Sequence, residues 1–187
     1  MDSFPQQILE KDPSLSVIAP NSRLFDALEH RWAQLTPGLP RRIFDSLQEQ
    51  AVAMSLEEIA KALETKSKHI VAKLDQLVSV GIVLLLESGR YTLGPGIVEQ
   101  YNAWRSWHLE LRSNLVQLLT EHEQLTTKQL AGKLNVPFSQ FTADLDLMVK
   151  LGYVRMRKGK DRATEIFYYS LRTNKASACQ EWLAELS

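Results

Sequence analysis

The 29 residues from Ser55 to Val83 lie on Thr126–Val154 without a gap when moved 71 positions along this 187-residue chain. Ala60 meets Ala131, Leu63 meets Leu134, Ala72 meets Ala143, Leu74 meets Leu145 and Asp75 meets Asp146. Val78 meets Val149, Gly81 meets Gly152 and Val83 meets Val154. Apolar positions that differ stay apolar: Ile59/Leu130, Ile70/Phe141, Leu77/Met148 and Ile82/Tyr153. An internal repeat of this size predicts two copies of one structural unit. Each copy reads as helix, tight turn, second helix, glycine and strand.

The boundaries follow from local signals. Asn21 or Ser22 can cap a helix with Leu24, Phe25, Leu28, Trp32 and Leu35 on one face. That face either packs on the chain's own first unit or meets a second copy. Pro40 suits the first turn of a helix over residues 41–50. Ser55 and Glu58 form a capping box for residues 56–63. A third helix starts at Thr65 or Ser67 and stops at Gly81. Ile82–Glu87 and Arg90–Leu93 pair as a hairpin around Ser88-Gly89.

Residues 97–123 read as one long helix, about 40 Å at 1.5 Å per residue, which would set the spacing of the two units unless it breaks near Ser106–His108. The second unit then repeats the scheme. Thr126 or Thr127 caps its first short helix, and Phe138 or Ser139 opens the next. Strands at Tyr153–Arg157 and Glu165–Leu171 flank the loop Lys158–Arg162. Asn174 caps a last helix with Ala178, Trp182, Leu183 and Leu186 on one side. The expected fold is mostly α with short β-hairpin wings: two tandem winged-helix domains joined by a long helix, with flanking helices at both ends. The expected division is an arm and helix over 1–39, winged domains over 40–96 and 97–173, and a terminal helix over 174–187.

Function is narrowed first by what is missing. Apolar content of 44% and charged content of 24% fit an ordinary soluble domain. The longest apolar run, Gly81–Leu86, is far short of a membrane span. Met1–Glu10 lacks the pattern of a secretory signal. One cysteine, Cys179, forms no internal disulfide and suggests inert packing. These features favour a cytoplasmic, nucleoid-associated protein. The four histidines show no paired ligand spacing, and no phosphate loop, nucleophile elbow or zinc motif is present. No enzyme, metal or cofactor is expected. Trp104 and Trp107, interleaved with Arg105 and His108, suit packing better than base stacking.

Charge is focused rather than spread. The net is zero, with −2 over residues 1–40, −1 over 41–100 and +3 over 101–187. Arg155, Arg157, Lys158, Lys160 and Arg162 put five cations within eight residues around Gly159. Such a hairpin suits a sugar-phosphate backbone or a minor groove. In unit one, burial of Ile70, Leu74 and Leu77 would leave Lys66, Ser67, Lys68, His69, Ala72, Lys73 and Gln76 outward. A basic N-terminal half with short polar side chains is what a helix entering the major groove needs. The matching surface of unit two, Ser139, Gln140, Ala143, Asp144 and Leu147, has an acid instead of a cation. Leu147 there suggests a protein neighbour.

Ser55–Pro95 resembles the DNA-binding domain of IclR-type bacterial regulators, down to the Tyr91-Thr92-Leu93-Gly94 run that closes the wing. Residues 127–171 are similar to MarR-, ArsR- and PadR-type winged helices. The resemblance implies double-stranded DNA binding by the third helix and wing. Carried onto this chain, it implicates Lys66, Ser67, Lys68, His69, Lys73 and Arg90 in unit one, and Ser139, Gln140, Arg157, Lys158, Lys160 and Arg162 in unit two. The expected protein is a transcriptional regulator, homodimeric through its outer helices. Two winged units in tandem also resemble the winged-helix partners of SMC–kleisin complexes and the ESCRT-II subunits. That resemblance implies an adaptor gripping protein.

Overall fold

A computed structural model describes residues 22–35, 37–161 and 164–186, so the arm before Ser22 and the site candidate Arg162 lie outside the described residues. The described chain divides into two compact units, with the division between Asn102 and Ala103.

The first unit begins with α1 (Ser22–Trp32) and α2 (Leu39–Gln50), the latter with Pro40 in its first turn. Helix α3 (Leu56–Ala62) starts at the expected capping box. Ser55 Oγ accepts from the Glu58 N–H, and Glu58 Oε2 accepts from the Ser55 N–H. Helix α4 (Ser67–Ser79) follows, then a hairpin of β1 (Val83–Leu85) and β2 (Tyr91–Leu93). The core is Ile43, Phe44 and Leu47 of α2, Ile59 of α3, and Ile70, Leu74 and Leu77 of α4, closed by Ile82 and Val83. Arg42 donates to the carbonyl of Leu63 at 2.7 Å, which satisfies an orphan acceptor at the end of α3. Trp32 and Leu35 are buried, and the Trp32 ring meets the Tyr101 ring edge-on. These two members of the α1 stripe therefore pack on their own unit. The side chains of Leu24 and Phe25 lie outside the described residues.

Helix α5 (Ile97–Glu121) is continuous through Ser106–His108, and the division between the units falls inside it. The second unit continues with β3 (Leu125–Thr126), α6 (Thr127–Leu134), α7 (Phe138–Lys150), β4 (Val154–Asp161), β5 (Thr164–Leu171) and α8 (Ala176–Leu186). The sheet order is β3-β5-β4, antiparallel throughout. Its core is built on Leu111, Leu115 and Leu119 of α5, Leu130, Phe141, Leu145 and Met148, with Val154, Tyr169 and Cys179. Cys179 and Leu183, rather than Ala178, are the buried residues of α8, and Asn174 lies within a 3₁₀ turn over Thr173–Lys175 instead of capping the helix.

The 71-residue offset holds in the elements. Helix α4 and helix α7 begin and end at matched positions, as do the starts of β1 and β4. The capping box recurs as Thr126 and Gln129. Gly81 and Gly152 both take left-handed conformations, with φ of 72° and 79°, where each recognition-type helix must stop and reverse into its strand. Each unit is a winged helix.

Candidate nucleic-acid interface

The basic hairpin is longer than its sequence suggests. Strands β4 and β5 stay paired from Val154↔Leu171 out to Asp161↔Thr164, so Lys158, Gly159 and Lys160 are strand residues, not the tip of a loop. Strand β5, with Ile166, Phe167, Tyr168 and Tyr169, is rich in residues that favour extended backbone and supplies the template along which β4 pairs.

Alternation divides the hairpin into two faces. One carries Val154, Met156, Lys158 and Lys160, opposite Leu171, Tyr169, Phe167 and Glu165. Lys158 Nζ pairs with Glu165 Oε1 at 2.6 Å, which offsets one cation on this face. The other face carries Arg155, Arg157, Gly159 and Asp161, opposite Ser170, Tyr168, Ile166 and Thr164. Arg155, Arg157, Lys158 and Lys160 are exposed, and among the described residues neither Arg155 nor Arg157 makes an ion pair. Arg155 and Arg157 also line a groove of 400 Å³ at the foot of the hairpin, with His122, Gln124, Ser170 and Glu123.

The recognition-type helices present less than expected. Helix α7 has two covered sides rather than one. Phe141, Leu145 and Met148 face the core, while Gln140 and Asp144 are buried on an adjacent stripe. Asp144 accepts from Arg112 Nε at 2.5 Å and lies 2.5 Å from His108 Nδ1, both on α5. The His108 ring stands edge-on to Trp104 and Trp107, and the Arg112 guanidinium lies over the Trp182 ring at 5.7 Å. Gln140 is thus not available to a groove as expected, and Asp144 is not an exposed acid. Leu147 is half-buried, so it is not the solvent-exposed leucine that suggested a protein neighbour. Ser139 remains exposed.

The equivalent stripe of α4 is partly engaged as well. Lys73 is half-buried and donates to Gln76 Oε1 at 3.3 Å, and Gln76 in turn bonds to Gln34. What α4 presents outward is Lys68, Ala72, Asp75 and Ser79, matched in α7 by Ser139, Ala143, Asp146 and Lys150. Lys66 and His69 are exposed beside Lys68, and Ser67 is half-buried. The cationic surface of α4 is therefore its first turn.

Arg90 is committed elsewhere. Its Nε donates to the Ala53 carbonyl at 2.9 Å and its NH2 pairs with Glu58 at 2.6 Å. The Ser55 N–H, then Arg90, hold the Glu58 carboxyl below its ordinary value. The first wing is left apolar, with Leu84, Leu85 and Leu86 exposed.

No family model and no curated protein matches the chain. Among solved structures, the chain is similar to the mRNA-binding domain of elongation factor SelB from E. coli in complex with SECIS RNA. That alignment has a TM-score of 0.29 and 15% identity, over 73% of this chain and 99% of that one. The winged-helix fold rests on the element order and strand registers above, and the expected assignment to IclR-, MarR- or ArsR-type domains is not supported by these comparisons.

Sequence periodicity missed three participants: Glu165 as partner of Lys158, and His108 and Arg112 as partners of Asp144. For the first, the strand register sets Glu165 opposite Lys160 and so diagonal to Lys158.

Proposed function

We propose that the chain binds nucleic acid, with the β4–β5 hairpin as the main contact. The observation that carries this reading is four exposed cations on paired strands, Arg155, Arg157, Lys158 and Lys160, in a protein of zero net charge. Cations concentrated on one projecting element neutralise phosphates and release counterions, which a scattered surface charge does poorly. The finer reading is a transcriptional regulator on double-stranded DNA. The hairpin would hold the backbone, while Lys66, Lys68 and His69 at the start of α4 would meet a groove. Asp75 on the outward strip of α4 restricts such contacts to its first turn.

The test is a titration of labelled duplexes, one from the region upstream of the coding sequence and one scrambled, at two salt concentrations. Replacing Lys160 or Arg157 with Ala should weaken both duplexes alike and reduce the log K against log salt slope by about 0.9 per cation. Replacing Lys68 or His69 should change the ratio between the two duplexes. Wild-type binding that ignores salt would rule out the hairpin as a phosphate contact. The adaptor reading is favoured by one feature, the exposed leucines of the first wing. It predicts a stable protein partner that is lost on Leu85→Asp.

A further inference from the structure

We propose that the outer face of the β3-β5-β4 sheet is a stacking site for unpaired nucleotides, with the Tyr168 ring as platform and Arg155 and Arg157 on the adjoining phosphates. The proposal rests on the general nucleic-acid reading above, and for the hairpin it replaces the double-stranded form of that reading with unpaired strands.

Three observations converge on that face. Tyr168 sits directly across from Arg157 on one side and Thr126 on the other, in the middle of the sheet. Its ring leans over Gly159: a Cβ added there would stand 2.7 Å from the ring edge. A glycine inside a strand marks a place where something approaches the backbone closely, and here that is the ring itself. One edge of the ring thus fills the space that a side chain at position 159 would take, and Tyr168 stays half-exposed. Among the described residues Arg155 and Arg157 make no ion pair, with Glu123 lining the same groove, whereas the opposite face has its Lys158 bound to Glu165.

Guanidinium groups beside an aromatic ring on an open sheet favour single strands. Every base has a π-face that can stack on the ring, and the arginines follow the backbone without reading sequence. Paired bases in a duplex are already stacked on each other and expose only their edges in the grooves. A half-exposed tyrosine between phosphate contacts therefore has no stacking partner on an intact duplex. Single-stranded DNA and RNA share the recognised chemistry, an unpaired base next to a phosphate.

The experiment is fluorescence anisotropy with labelled strands of about 12 nucleotides: DNA, RNA of the same sequence, and the blunt DNA duplex. The proteins compared are wild type, Tyr168→Phe, Tyr168→Leu and Gly159→Ala, each checked by thermal melting. Wild type should bind either single strand more tightly than the duplex. Tyr168→Leu should weaken single-strand binding about tenfold and leave the duplex within about twofold, while Tyr168→Phe keeps wild-type affinity. Gly159→Ala retains every charge and the ring but displaces it, so single-strand affinity should fall without any change in salt slope. Duplex bound at least as tightly as single strands overturns the proposal. So does an equal loss for both ligands in Tyr168→Leu. If Tyr168→Leu does not fold, unchanged single-strand affinity in Gly159→Ala overturns it. Salt-dependent binding without a preference for single strands defeats the stacking site alone, whereas no binding of any strand defeats the nucleic-acid reading beneath it.

Discussion

Asp144 shows how one side chain changes role when its neighbours are known. It is 2% exposed and held by two groups from α5, so its charge fastens α7 to the long helix. Removing one member of a buried ionic cluster leaves the others desolvated and uncompensated. Asp144→Ala should destabilise the second unit by about 3 kcal/mol, measured by urea denaturation. Replacing Asp144 and Arg112 together with Leu should recover part of that loss, because the uncompensated guanidinium is then gone. Cys179 is simpler. It is fully buried, and burial pushes its thiol up, so the reactive thiolate is scarce. Iodoacetamide should leave it unmodified in the native protein and modify it fully in urea.

At the scale of elements, the two units stop and start their helices by the same devices. Gly81 and Gly152 each close a recognition-type helix with positive φ. Alanine at either position should cost about 1–2 kcal/mol, through the strain of a left-handed backbone. Paired thermal melts of the two variants would check this. The α3 capping box adds a pH signature. The Glu58 carboxyl lies below its ordinary value of 4.5 in the folded state, because the Ser55 N–H and Arg90 favour its charged form. Its contribution to stability is therefore present above that ordinary value and is lost as pH falls through the depressed one. Glu58→Gln should flatten this part of the acid side of a stability-against-pH curve, while leaving the alkaline side unchanged. The same scale explains why the two wings differ. Arg90 is fastened to the capping box and leaves its wing apolar, whereas the arginines of β4 make no ion pair among the described residues.

For the whole molecule, zero net charge and a focused basic hairpin lead to one measurable expectation. A uniformly basic protein would show a steep salt dependence from many weak contacts. Four exposed hairpin cations should instead give a log K against log salt slope of about −3 to −4. A slope near −8 or steeper would require cations from beyond the hairpin, and a slope near zero would exclude the hairpin.

Helix order, the two hairpins, the Ser55–Glu58 capping box and the glycine stops were legible in the chain, because each depends on residues close in sequence. The two-copy plan was legible from the 71-residue repeat. Strand β3 and the Thr126–Gln129 box emerged only in the structure. Periodicity also placed Ile70, Leu74 and Leu77, and their counterparts in α7, on a buried face. It could not tell that α7 has a second covered side, since that depends on His108 and Arg112, more than thirty residues earlier. Nor could it tell that Arg90 is tied to Glu58, that Lys158 is matched by Glu165, or that Tyr168 lies over Gly159. A repeating pattern reports which side chains share a direction along one element. How many directions are occupied, and by which charges, is decided by packing between elements distant in sequence.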